Sequence, residues 1–182
     1  MDTFVWDEHF NTGLEMVDQQ HHHLVDLINR LGESLIGGKV DEDILQAAFV
    51  DLTDYAHYHF AEEEKHMQDA GIDPRHLSMH RQRHEEFVVQ MSVMWNSRSS
   101  MSNPAEVLHG FLRAWLGFHI LGVDQVMAQQ FSLIESGHSP VEAFEIVSAQ
   151  KDTAIDALLQ ALQNLYHVLS VQNTDLSVAN QV

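Results

Sequence analysis

The stretch Leu77-Ser-Met-His80-Arg-Gln-Arg-His84-Glu-Glu-Phe87-Val-Val-Gln-Met91 decides how this chain folds. Leu77, His80, His84, Phe87 and Met91 recur at three- and four-residue steps. An α-helix turns about 100° per residue, so these positions share one face. That face mixes apolar side chains with two imidazoles. It predicts a helix whose inner side carries both core and chemistry.

The same period runs through Leu24, Leu27, Ile28, Leu31 and Leu35, through Leu45, Ala48, Leu52 and Tyr55, and through Leu108, Leu112 and Trp115. The three prolines, Pro74, Pro104 and Pro140, follow Asp73, Asn103 and Ser139. Proline is favoured at the first helical position and Asp, Asn and Ser before it, so each pair marks a helix start. Gly37-Gly38 and Gly71 supply stops, and Asp41 a cap. The predicted helices are 18–37, 41–70, 74–97, 104–135 and 140–180. Four helices with short connections pack as an antiparallel bundle. The expected fold is therefore all-α: a four-helix bundle, an N-terminal arm (1–17, with Phe4 and Trp6) and a fifth helix. No β pattern and no internal repeat is visible.

Composition narrows the function classes. With 9 basic and 27 acidic residues the formal charge is −18, which disfavours nucleic acid or an anionic membrane as partner. Cysteine is absent, which excludes thiolate metal sites and fits a reducing cytoplasm. The N-terminus lacks the basic and apolar regions of a signal peptide, and no apolar run approaches the roughly 20 residues of a membrane span. A soluble cytoplasmic protein is expected. No nucleophile elbow, P-loop or dinucleotide fingerprint is present, so the chain itself is not expected to be an enzyme. Histidine is in excess, 14 of 182 residues, and it is the commonest metal ligand.

Spacing turns that excess into an argument. His59 and Glu63 stand four apart, in phase with Leu52 and Tyr55; His21 precedes Leu24 by three, and His119 follows Trp115 by four. Each bundle helix thus turns at least one imidazole inward. Five imidazoles and two carboxylates, Glu63 and Asp124, are a heavy polar load for a small core, where unpartnered polar groups are costly. Metal binding resolves it, and a nitrogen-rich set without thiolates suits iron, with carboxylates bridging two ions. Asp124 is out of phase, since five residues past His119 is about 140° around a regular helix. Either Gly122 admits a local irregularity, such as the π-type bulge found at functional sites, or the carboxylate reaches across.

Four stretches resemble the ligand motifs of bacterial hemerythrins, in the family's order and at its spacings. They are Asp18-Gln-Gln-His21-His-His-Leu24, His59-Phe-Ala-Glu-Glu63-Glu-Lys-His-Met67, His80-Arg-Gln-Arg-His84-Glu-Glu-Phe87 and Trp115-Leu-Gly-Phe-His119-Ile-Leu-Gly-Val-Asp124. With the Phe4-Val-Trp6 start, the resemblance spans roughly 1–135, leaving 136–182 as a linker or signalling helix. It implies a hydroxo- or oxo-bridged di-iron centre: His80, His84 and His119 on one iron, His21 and His59 on the other, Glu63 and Asp124 bridging. It further implies oxygen as the ligand, at the open position of the two-histidine iron. Leu116 and Ile120, one helical step from His119, are expected to line that pocket.

Bland assignments cover the rest. His9, His22, His23, His57, His66, His76, His109, His138 and His167 are expected at the surface or satisfied in the interior. Glu62 and Glu64 read as the solvated flanks of Glu63. Glu63–His66 and Glu106–His109 also read as E-x-x-H, the signature of ferritin-like di-iron proteins. That fold needs further inward glutamates, and Glu33, Glu85 and Glu86 do not match His21 or His119 in depth.

In the fifth helix, Ile155, Leu162, Leu169 and Leu176 are seven apart, with Leu158, Leu165 and Ala179 between them. This is a coiled-coil seam suited to a parallel dimer, and the alternative is a further helix packed on the bundle. Residues 165–180 resemble signalling linkers that precede diguanylate cyclase domains, whose product is cyclic di-GMP. The pattern is still running at Val182, as if the chain continued. The leading expectation is a sensory input domain for a C-terminal output. The alternatives are a free-standing oxygen store or carrier and a di-iron peroxidase or oxidase.

Overall fold

The computed structural model describes residues 3–35 and 40–150. Among them lie six α-helices and no strand: α1 (Glu15–Ser34), α2 (Glu42–Asp69), α3 (Pro74–Ser97), α4 (Pro104–His119), α5 (Gln125–Glu135) and α6 (Pro140–Gln150). α1 packs on α2 and α4, and α2 on α3. α3 meets α4 through Phe87 against Trp115, ring centroids 4.1 Å apart. This is the expected four-helix bundle, with 104–135 a continuous rod whose pitch changes in the middle. No helix among the described residues is long and apolar enough to cross a membrane.

The predicted starts hold for local reasons. Asp41 and Asp73 each accept the backbone N–H two residues on, at 2.9 and 2.8 Å. Ser139 and Glu142 form a capping box: Ser139 N–H donates to Glu142 Oε2 (2.9 Å) and Glu142 N–H to Ser139 Oγ (3.3 Å). α2 stops at Gly71, whose φ of +70° suits a residue without Cβ. Gly71 N–H bonds to Gln68 O and Ile72 N–H to Met67 O, while Ile72 and Met67 pack in one apolar cluster.

One start is corrected. α1 begins at Glu15, not Asp18. Asp18 lies inside the helix and ties down the arm: its carboxylate accepts from Thr12 N–H (2.8 Å), the Thr12 hydroxyl (2.8 Å) and Gly13 N–H (3.0 Å). Inside the first helical turn its charge also suits the helix dipole. α1 ends at Ser34. The predicted stop at Gly37-Gly38 and the heptad seam of 155–179 lie outside the described residues.

The arm is bound rather than merely adjacent. Phe4 exchanges two hydrogen bonds with the Asn29 side chain (2.8 and 3.0 Å), and Gln125 Nε2 donates to the carbonyls of His9 (3.1 Å) and Asn11 (2.8 Å). Two apolar clusters fill the bundle. The larger includes Phe4, Ile28, Leu52, Phe87, Met91, Leu112 and Leu116; the smaller holds Val17, Met67, Ile72, Met127 and Phe131. Each such side chain contributes about 1.5–3 kcal/mol on burial. The polar site lies between these clusters.

Candidate metal centre

Helices that alternate in direction bring together the start of α1, the end of α2, the start of α3 and the end of α4. His21, His59 with Glu63, His80 with His84, and His119 sit at those places, and all are buried. Asp124 joins them because Ile120–Asp124 is a π-helical turn, closed by Gln125 N–H onto Ile120 O. A π turn bonds five residues back, so a side chain five after His119 returns to its face. The irregularity expected here is therefore real, and the carboxylate does not have to reach across. Gly122 sits in the turn without a positive φ, so left-handed freedom is not what admits it.

The side-chain atoms converge in two overlapping groups. Ligand-type atoms of Glu63, His80, His84 and His119 lie within 4.8 Å of one another, as do those of His21, His59 and Glu63. Glu63 is common to both, with Oε2 2.9 Å from His80 Nε2, 3.3 Å from His84 Nε2 and 3.9 Å from His59 Nε2. Asp124 spans them in the same manner: Oδ1 is 3.1 Å from His119 Nε2 and Oδ2 is 3.2 Å from His21 Nε2. Each carboxylate thus faces three-imidazole and two-imidazole halves at once.

Hydrogen bonding leaves this cluster incomplete. His21 Nε2, His59 Nε2, Glu63 Oε1 and both Asp124 oxygens are buried without a hydrogen-bond partner. Orphaned donors and acceptors cost about 1–3 kcal/mol each, and several pointing at one another are not a stability device. The residues therefore fit a cation-binding role: the contacts inside the cluster, His80 Nε2 with Glu63 Oε2 (2.9 Å) and His84 Nε2 with His119 Nε2 (3.2 Å), leave the other inward nitrogens and oxygens unsatisfied.

Electrostatics match. Burial pushes His59 down to about 3 and His119 also down, so both rings stay neutral with lone pairs available. Burial alone would raise Glu63, but His80 and His59 outweigh it and hold its carboxyl well below the ordinary value. Asp124 is likewise lowered, with His119 and His21 overcoming burial and the neighbouring Glu63 charge. Burial opposes charge on His21 and His80 too, yet the carboxylates prevail and both imidazoles titrate above the usual value.

Residues 12–131 match the family described as hemerythrin HHE cation binding domain. The chain belongs to that family. All seven hemerythrin-type site residues fall inside the matched span. Its relatives include a bacteriohemerythrin of Stenotrophomonas maltophilia, 30% identical over 137 residues (71% of this chain, 82% of the relative). A bacteriohemerythrin of Clostridium acetobutylicum is 28% identical over 128 residues (67% and 96%), and the myohemerythrin of Riftia pachyptila 31% over 121 (66% and 88%).

Around this cluster, His22 and His23 are exposed as expected, and His57 is exposed as well. The ferritin-like alternative does not assemble: Glu106 is exposed and His66 stacks on Phe131 (4.8 Å). Leu116 and Ile120 are both buried beside His119. Leu116 lines a narrow apolar cavity with Leu24, Leu52, Phe60 and Trp115; Ile120 packs in the same core but does not line it.

Two residues were missed. Gln20 is buried and its Oε1 accepts from His59 Nδ1 at 2.8 Å. Glu64 corrects the solvated-flank assignment: its Oε1 accepts from His84 Nδ1 at 3.0 Å. Adjacency to His21 and Glu63 was the only sequence signal, because a partner behind a ring is set by the neighbouring helix.

Proposed function

We propose that this hemerythrin-family chain binds oxygen reversibly at a pair of non-haem irons, with His80, His84 and His119 holding one and His21 and His59 the other. Glu63 and Asp124 would be shared between the two. The observation that carries this is the position of the two carboxylates, each presenting oxygen to both imidazole halves. When bound, the two ferrous ions supply the electrons that oxygen takes up and gives back. The two-imidazole half offers one nitrogen fewer, so that half would be the one to accept a further ligand. Leu116, Ile120 and Phe60 exclude water from the site, and Gln20 fixes the His59 tautomer so that Nε2 faces inward.

The test is metal analysis with visible spectra on protein purified without oxygen. The expected result is about two irons per chain and charge-transfer bands that appear with oxygen and fade when it is removed. Well-folded protein that takes up no iron ends this reading. Fast turnover of peroxide in place of a reversible complex would make the chain an enzyme.

We further propose that the domain is a cytoplasmic sensory input to an output of the diguanylate cyclase type. Support comes from continuity: Asp124 passes directly into α5, α5 packs on α6, and Arg75 at the start of α3 lies over Phe144 of α6 at 4.2 Å. Hydrogen exchange on α5 and α6 should change between the oxygen-free and oxygen-bound states. Unchanged exchange there would favour storage or delivery.

A further inference from the structure

Glu64 has no part in bridging, yet both its oxygens are committed. Oε2 accepts from Arg81 Nε at 2.8 Å and Oε1 from His84 Nδ1 at 3.0 Å. Arg81 and His84 are three residues apart on α3, so one α2 carboxylate is gripped by two α3 side chains. The His84 ring is constrained in a second way: Phe60 stacks on it at 3.8 Å with planes 10° apart. Stacking sets the plane of the ring, and Glu64 sets its rotation within that plane. The remaining nitrogen, Nε2, then faces Glu63 Oε2 (3.3 Å) and His119 Nε2 (3.2 Å).

This differs from an ordinary surface pair. Arg83 and Glu86, on the same helix, are joined at 2.9 Å with similar exposure of the arginine, but there the carboxylate is as exposed as its partner. Glu64 is only 21% exposed and reaches a buried imidazole. It also differs from the backing of His59, where the partner is the neutral amide of Gln20.

We propose that Glu64, braced by Arg81, is a positioning residue of the metal centre. It holds His84 with its proton on Nδ1 and Nε2 aimed at the ion, and its negative charge strengthens that nitrogen as a donor. The proposal rests on the reading above that His84 ligates a metal.

The experiment loads parent, E64A, E64Q, R81M and E86Q proteins with iron under nitrogen. It then follows metal release to a chelator and the visible spectrum. E64A should release metal roughly 10–100-fold faster with an altered spectrum, while the metal-free protein keeps the parental helix content. E64Q, which can still accept from Nδ1 but carries no charge, should fall between parent and E64A. R81M should show a smaller acceleration, and E86Q none. E64A with parental release and spectrum overturns the proposal, and so does E86Q matching E64A, which would make the effect one of general surface charge. A parental rate in R81M removes the bracing role. A parent that takes up no iron fails differently, since it ends the proposed function itself.

Discussion

His21 and His22 are neighbours in the chain and opposites in environment. His21 is fully buried with neither ring nitrogen hydrogen-bonded, whereas His22 is exposed against Trp6 at 4.1 Å. Phase with Leu24 separated them from sequence, because burial on a helix follows the 3.6 period. The corresponding prediction is that His119→Ala or Glu63→Ala loses at least one of the two metals by elemental analysis, and that His22→Ala leaves metal content and spectrum unchanged. A pH dependence also belongs here. Metal requires neutral imidazoles, and His21 and His80 keep their protons to higher pH than a free ring because carboxylates face them. Apparent metal affinity should therefore fall as pH falls through those raised values. Glu63 and Asp124 remain ionised and His59 stays neutral until about pH 3, so these do not limit binding. Competition titrations between about pH 5 and 8 would check this, and an affinity flat across that range would contradict it.

At the scale of elements, the caps were legible and the contacts between helices were not. Asp73-Pro74 and Ser139-Pro140 start helices through bonds to residues two or three away, which any reader of the chain can place. The separation of α1 and α4 is another matter. A Cβ on Gly32 would stand 2.6 Å from His109 Nε2, so the absence of a side chain is what lets the buried imidazole in. His109, expected at the surface or satisfied in the interior, is buried with no hydrogen-bond partner for Nε2. Gly32→Ala should cost about 1–3 kcal/mol by overpacking, measured by denaturant unfolding. The cost should shrink in a His109→Ala background, since the two changes meet at one contact. Equal cost in both backgrounds would place the strain elsewhere.

Across the whole molecule, the site lies between two apolar clusters and draws on all four bundle helices. Without a cation, its ionised carboxylates and unpartnered nitrogens oppose the packing around them. Metal should therefore stabilise the fold. At a free concentration 100 times the Kd the gain is about 2.7 kcal/mol, or roughly 5–10 °C in Tm for a chain of this size. Thermal melts with and without chelator test it, and identical melting would separate metal binding from folding.

The amino-acid order alone determined that the chain is helical, where most helices begin, and which five of 14 histidines converge at the site; it did not single out His76 and His109, which are buried as well. Those properties are local, set by capping bonds and by the pitch of one helix. Only the tertiary structure decided that Glu64 backs His84, that Gln20 backs His59 and that Gly32 makes room for His109. Each depends on the distance between two helices, which no single helix encodes. The π turn lies between the two cases. A five-residue step from His119 to Asp124 showed that something irregular was needed, and the packed bundle selected its form.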